Sequence, residues 1–155
     1  MVTLQFSGLD SFGSKVVQWS TWSWVGHVDF VLPNGDLLGS LPHLRNGGVQ
    51  IHKMKPRDAY ARVERYQIDA PSSVYDAALS QVGKEYDWRG IMSFVSRTRD
   101  WQCSDKWFCS ELVMWAFLEN DIELIRDISN RVTPHSLLLS TKLEYTPIPL
   151  KAFGK

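Results

Sequence analysis

The sequence predicts one α+β domain. Three observations carry that expectation: strand patterns fill the first half, helical patterns follow, and no repeat, low-complexity tract or linker interrupts the 155 residues. The whole span 1–155 is therefore read as a single domain. Hydrophobic residues at 44% and charged residues at 22% are ordinary globular values.

Val2, Leu4 and Phe6 alternate with polar neighbours, the mark of a short half-buried strand. Residues 14–19 fit one or two helical turns. Gly26 to Leu32 and Asp36 to Leu41 read as two strands joined at Pro33-Asn34-Gly35, a hairpin. Asn46-Gly47-Gly48 is a turn before a short strand from Val49 to His52. Tyr60 to Ile68 favours strand residues, and its alternation changes phase near Glu64-Arg65, which predicts a bulge there. Pro71-Ser72 opens a helix with Val74, Ala78 and Val82 on one stripe and Gly83 at its end. Ile91, Phe94 and Val95 suggest a second helix, and Cys109 to Asn120 a third. Thr133-Pro134 starts a short one with proline in its first turn. Leu143 to Leu150 closes as a strand whose prolines suit an edge.

Charge excludes one class of partner. Seventeen basic residues balance seventeen acidic ones, so no surplus is available to displace counterions from nucleic acid. The longest strongly apolar run, Leu112 to Leu118, falls far short of the roughly 20 residues a membrane span requires. The first eight residues carry neither a basic segment nor an apolar stretch of signal-peptide length. The expectation is a protein without a signal peptide or membrane span. Two cysteines cannot build a disulfide framework.

Of those two, Cys103 sits among polar residues and reads as bland. Cys109 opens the apolar helix Cys109-Ser110-Glu111-Leu112-Val113-Met114-Trp115-Ala116-Phe117. Unpaired N–H groups at a helix N-terminus favour a thiolate and can also stabilise the oxyanion of acyl transfer. The competing reading is a buried structural cysteine. A thiol nucleophile usually works with a histidine. His43, His52 and His135 lie at turns or a helix start and read as surface or supporting residues. His27 begins an apolar strand after Gly26, where a satisfied core histidine is the plain alternative.

Metal binding finds little support. There is no Cys-x-x-Cys or His-x-x-x-His pair, and Cys103 and Cys109, six apart, fit zinc spacing poorly. No cofactor is expected. Asn46-Gly47-Gly48 precedes a strand rather than a helix, so it lacks phosphate-loop geometry. Seven tryptophans are unusual, and several flank the candidate groups: Trp24 precedes His27, and Trp107 precedes Cys109. Aromatic residues in those places suggest the walls of a substrate cleft.

Trp24-Val25-Gly26-His27-Val28-Asp29-Phe30-Val31, followed by Phe108-Cys109-Ser110-Glu111-Leu112-Val113, resembles the circularly permuted papain-like cysteine hydrolases. These are YiiX-like relatives of the NlpC-like cell-wall peptidases, with the histidine hairpin ahead of the cysteine helix. Gly83-Lys84-Glu85-Tyr86-Asp87-Trp88 and Gly48-Val49-Gln50-Ile51 are similar to further segments of that family. The resemblance runs from about residue 14 to 117. It implies a permuted papain-like, NlpC-like fold, an antiparallel sheet packed on the helix that bears Cys109. It also implies a thiol nucleophile at Cys109, a base at His27, and a role for Tyr86 in lining the oxyanion or a substrate carboxylate. Cell-wall peptide amides are the implied substrate. Small members occur in bacteriophage genomes, which suggests a cytoplasmic or virion-associated setting and an assembly partner.

The sequence departs from the family pattern at Gly26, often serine in relatives, and at Gly39. The latter lies twelve residues after His27, where a third polar residue is usual. A three-residue loop over 33–35 pairs Leu32 with Asp36, and counting back sets Asp29 opposite Gly39. His27 and Asp29 then share a face. Asp29 is therefore expected to orient the His27 imidazole, with a carboxylate oxygen about 2.6–3.2 Å from a ring nitrogen. Two bland readings compete: a solvated Asp29 at the rim, or a buried water that does the orienting. A two-residue Asn34-Gly35 turn would instead pair Asp29 with Ser40.

The expected activity is hydrolysis of an amide or ester through the Cys109 thiolate. One alternative is a lipid-directed thiol acyltransferase or esterase, which shares the hairpin-plus-helix core but carries a second histidine where Gly39 stands. The other is an inactive domain that binds peptide or glycan within a larger assembly.

Overall fold

In the computed structural model, residues 1–9, 15, 18–19, 22–42, 47–86, 106–126 and 132–153 are described. Their core is an eight-stranded sheet in the order β7-β6-β4-β3-β2-β1-β5-β8. The strands are β1 (Val2–Leu9), β2 (His27–Val31), β3 (Leu37–Leu41), β4 (Gly48–His52), β5 (Tyr60–Ile68), β6 (Glu85–Tyr86), β7 (Lys106–Trp107) and β8 (Glu144–Thr146). All neighbours run antiparallel except the short β6–β7 pair. Among the described residues, α-helices with defined bounds are α1 (Ser73–Leu79), α2 (Cys109–Leu118) and α3 (Pro134–Leu138). The architecture is α+β.

One face of the sheet carries Val2, Leu4, Phe6, Val28, Phe30 and Leu38 into a core shared with α1 and α2. Phe30 stacks on Phe117 of α2, with ring centroids 6.2 Å apart. The other face holds a smaller cluster of Val31, Leu37, Met54 and Tyr60, covered by Ile148, Ala152 and Phe153. Burial on both sides is why β1 differs from its half-buried expectation. Its polar residues Gln5 and Ser7 are enclosed as well.

The hairpin follows the turn chemistry. Leu32 N–H donates to Asp36 O and Gly35 N–H to Leu32 O, both at 2.8 Å. Gly35 takes φ +88°, a conformation that favours glycine. Phe30 then faces Leu38 and Val31 faces Leu37.

Several expectations need correction. The β5 bulge is not at Glu64-Arg65, which pair in register with Phe6 and Gln5; the shift falls between Gly8 and Leu9, so Ala61 is the extra residue. The phase change in the sequence reflects covering on both faces there, not a break in the ladder. Helix α1 ends at Leu79, and Val82 lies beyond it, exposed. The closing strand is only Glu144–Thr146, on the edge beside β5. Thr133 caps α3 as expected, its Oγ1 accepting from Ser136 N–H at 2.9 Å. The helix expected around Ile91–Val95, Cys103, and residues 14, 16 and 17 of the expected helical turns lie outside the described residues.

Candidate active site

Cys109 occupies the first position of α2, buried and free. Phe108 precedes it in an extended conformation, and its N–H donates to Glu111 Oε2 at 3.2 Å. The Leu112 N–H is the first to reach back along the helix, to Phe108 O at 3.0 Å. The turn that carries Cys109 thus has N–H groups without an i−4 carbonyl. Two ties hold this end in place. Ser110 Oγ donates to Val132 O at 2.5 Å, and Ser40 Oγ donates to Trp107 O at 2.7 Å, fixing β7 to β3.

His27 opens β2, and its Nε2 lies 2.8 Å from Asp29 Oδ1. Both side chains are almost wholly enclosed, at 7% and 3% exposure. Burial alone would lower the His27 pKa. The Asp29 carboxylate and then Cys109, each through charge and a side-chain hydrogen bond, reverse this and hold it well above the usual value. Burial likewise pushes Asp29 up, but His27 and then His52 overcome it and hold the carboxyl far below the usual range. Cys109, His27 and Asp29 therefore come together. A second imidazole reaches Asp29 from a residue read as surface or supporting: His52 Nε2 stands 3.4 Å from the same Oδ1.

Gly39 explains how the carboxylate fits. A Cβ built at that position would collide with Asp29 Oδ1. The empty side of β3 is where the Asp29 carboxylate lies.

The expected wall residues divide differently. Tyr86 is buried, its ring edge-on to Phe108 at 6.1 Å, directly beside the cysteine helix. Trp107 packs against Trp115 at 5.2 Å and donates from Nε1 to Gln81 Oε1 at 3.2 Å. Trp24 is half-buried beneath the Arg62 guanidinium, 4.3 Å from its ring centroid. Two of these rings thus join the core, and the third has one face covered. Among the described residues, no group of three or more His, Cys, Asp or Glu side chains is arranged to hold a metal ion.

No family model and no curated protein sequence matches the chain. Among solved structures, the metalloprotein yiiX from Escherichia coli O157:H7 (DUF1105) superposes with a TM-score of 0.65. The alignment covers 94% of this chain and 95% of yiiX, at 16% identity. The fold is YiiX-like. At that identity the likeness speaks for the YiiX-like fold alone. No described helix is long and apolar enough to cross a membrane.

Proposed function

We propose that this protein is a cysteine hydrolase of the permuted papain-like kind, related to NlpC-like peptidases. The observation that carries the reading is one imidazole with Asp29 Oδ1 2.8 Å from its Nε2 and Cys109 as its other partner. An imidazole so held has a fixed tautomer and leaves Nδ1 for the thiol.

The reaction divides into two halves. The Cys109 thiol gives its proton to His27, and the thiolate attacks an amide or ester carbonyl. The N–H groups of the first turn of α2 receive the developing oxyanion. His27, now protonated and paired with Asp29, returns the proton to the leaving amine or alcohol. Water, deprotonated by the same ring, then releases the acid from the thioester. Asp29 stays ionised throughout; its part is to orient the ring and stabilise its charge.

Peptide amides of the bacterial cell wall are the substrate we favour, on the family resemblance. The decisive experiment incubates the protein with purified peptidoglycan and, separately, with acyl lipids, and identifies products by mass spectrometry. Release of stem-peptide fragments that stops in Cys109→Ala supports the reading. Release that survives Cys109→Ala overturns it. Cleavage confined to the lipids would instead make the protein a thiol esterase or acyltransferase. Capture of peptidoglycan without turnover would make it a binding domain.

A further inference from the structure

On the face of the sheet that carries Asp29, one rung runs from Asp29 to Gln5, Arg65 and Thr146 across β2, β1, β5 and β8. Partners on one rung point the same way. Arg65 is 7% exposed, an uncommon setting for a guanidinium. Its Nε donates to Gln5 Oε1 at 3.0 Å, and its Nη2 reaches only the Met54 sulfur at 3.2 Å. No described carboxylate pairs with it, and Nη1 has no partner among the described residues. A buried cation held by an amide oxygen and a thioether has its charge uncompensated.

Arg65 lines a cavity of about 350 Å³. Thr3, Gln67 and Thr146 offer polar groups to it, while Val31 and Tyr75 give apolar wall. No acidic side chain lines this cavity. Val31 lies at the far end of β2 from His27, four residues or roughly 13 Å away. The cavity is thus distinct from the Cys109–His27 pair.

We propose that this cavity is a carboxylate-binding site with Arg65 as its cation. One guanidinium balances one negative charge, and its planar fork matches a carboxylate edge. The amino group of Met1, which also lines the cavity, is held by Ala70 O at 2.8 Å. The volume is at the small end of ligand pockets, which suits a short organic acid or the last residue of a peptide. These two sources share their chemistry and differ in what flanks the carboxylate. The assignment does not depend on the hydrolase reading.

The test is a titration of the protein, followed through its backbone amide resonances by two-dimensional NMR. Four probes are used: N-acetylalanine, its primary amide, propionate and inorganic phosphate. The expected result is saturable shifts at Thr3, Gln67 and Thr146 with N-acetylalanine and none with the amide, which differs only in charge. Tighter binding of N-acetylalanine than of propionate assigns a peptide end; equal binding assigns a short acid. Arg65→Met should weaken the acid at least tenfold, and Thr146→Val, on the exposed edge strand, severalfold. Should Arg65→Met fail to fold, the wild-type titration decides alone. Equal response to acid and amide, no saturable shift with either, or preference for phosphate overturns the proposal.

Discussion

The Asp29 carboxylate serves two imidazoles through one oxygen, and that sets what single substitutions should do. Asp29→Asn keeps the volume but removes the charge and can hold the wrong ring tautomer. It is expected to lower turnover on the order of 10²–10⁴-fold, the scale of general acid–base catalysis, with KM nearly unchanged. Steady-state kinetics on the cleaved peptide checks this. His52→Ala removes the more distant partner and should cost less than Asp29→Asn in the same assay. Stability should carry a pH signature of the pair. The raised His27 pKa contributes fully below its unfolded value, about 6.5, and is lost as pH rises through the higher folded value. The lowered Asp29 pKa contributes above about 3.9 and is lost as pH falls through its folded value. Urea midpoints should therefore be highest between about pH 4 and 6.5 and decline on the alkaline side. His27→Gln should flatten that decline. An unchanged alkaline limb in the variant would mean that the ring is not the group responsible.

The β2–β3 hairpin separates backbone cost from side-chain cost at two glycines. Gly35→Ala meets nothing within 4 Å, so its penalty is the positive φ alone, about 1–2 kcal/mol. Turnover should stay normal once the variant is folded. Gly39→Ala has no such φ, and its methyl group must displace the carboxylate of Asp29. Turnover should fall there as it does in Asp29→Asn, measured alongside denaturation to separate the two effects. The same hairpin shows what could be read from sequence. Pro33-Asn34-Gly35 determines loop length, loop length determines register, and register brings Asp29 to His27. His52 was invisible to that logic. Its approach depends on how β4 pairs with β3, which puts His52 opposite Leu37, and no local turn signal states this. The β5 bulge is hidden for a related reason: alternation tells inside from outside only when one face is wet, and around Glu64-Arg65 both are covered.

Across the whole molecule, the sheet and α2 meet through large aromatic side chains, and the candidate nucleophile sits at the end of that contact. Phe117, fully buried and stacked on Phe30, should cost about 3–5 kcal/mol when cut to alanine, read by chemical denaturation. The expected fold class, α+β with Cys109 at a helix start and His27 on the hairpin, was legible because it rests on long patterns and turn residues. The use of the neighbouring aromatic residues is less legible. Tryptophans near a site in sequence serve either a cleft or a core, and Trp107 and Tyr86 are committed to packing beside α2.

The hairpin has room on one rung for one working side chain, not two. Glycine at 39 and aspartate at 29 form an exclusive pair: whichever strand supplies the acid obliges the other to be bare. A chain could therefore pass the orienting role from one strand to its neighbour only by exchanging both positions together, since either single change leaves a clash or a hole. Aligned hairpins of this fold should show the two positions varying as a unit, and the double exchange Asp29→Gly with Gly39→Asp should recover turnover that Asp29→Gly alone loses.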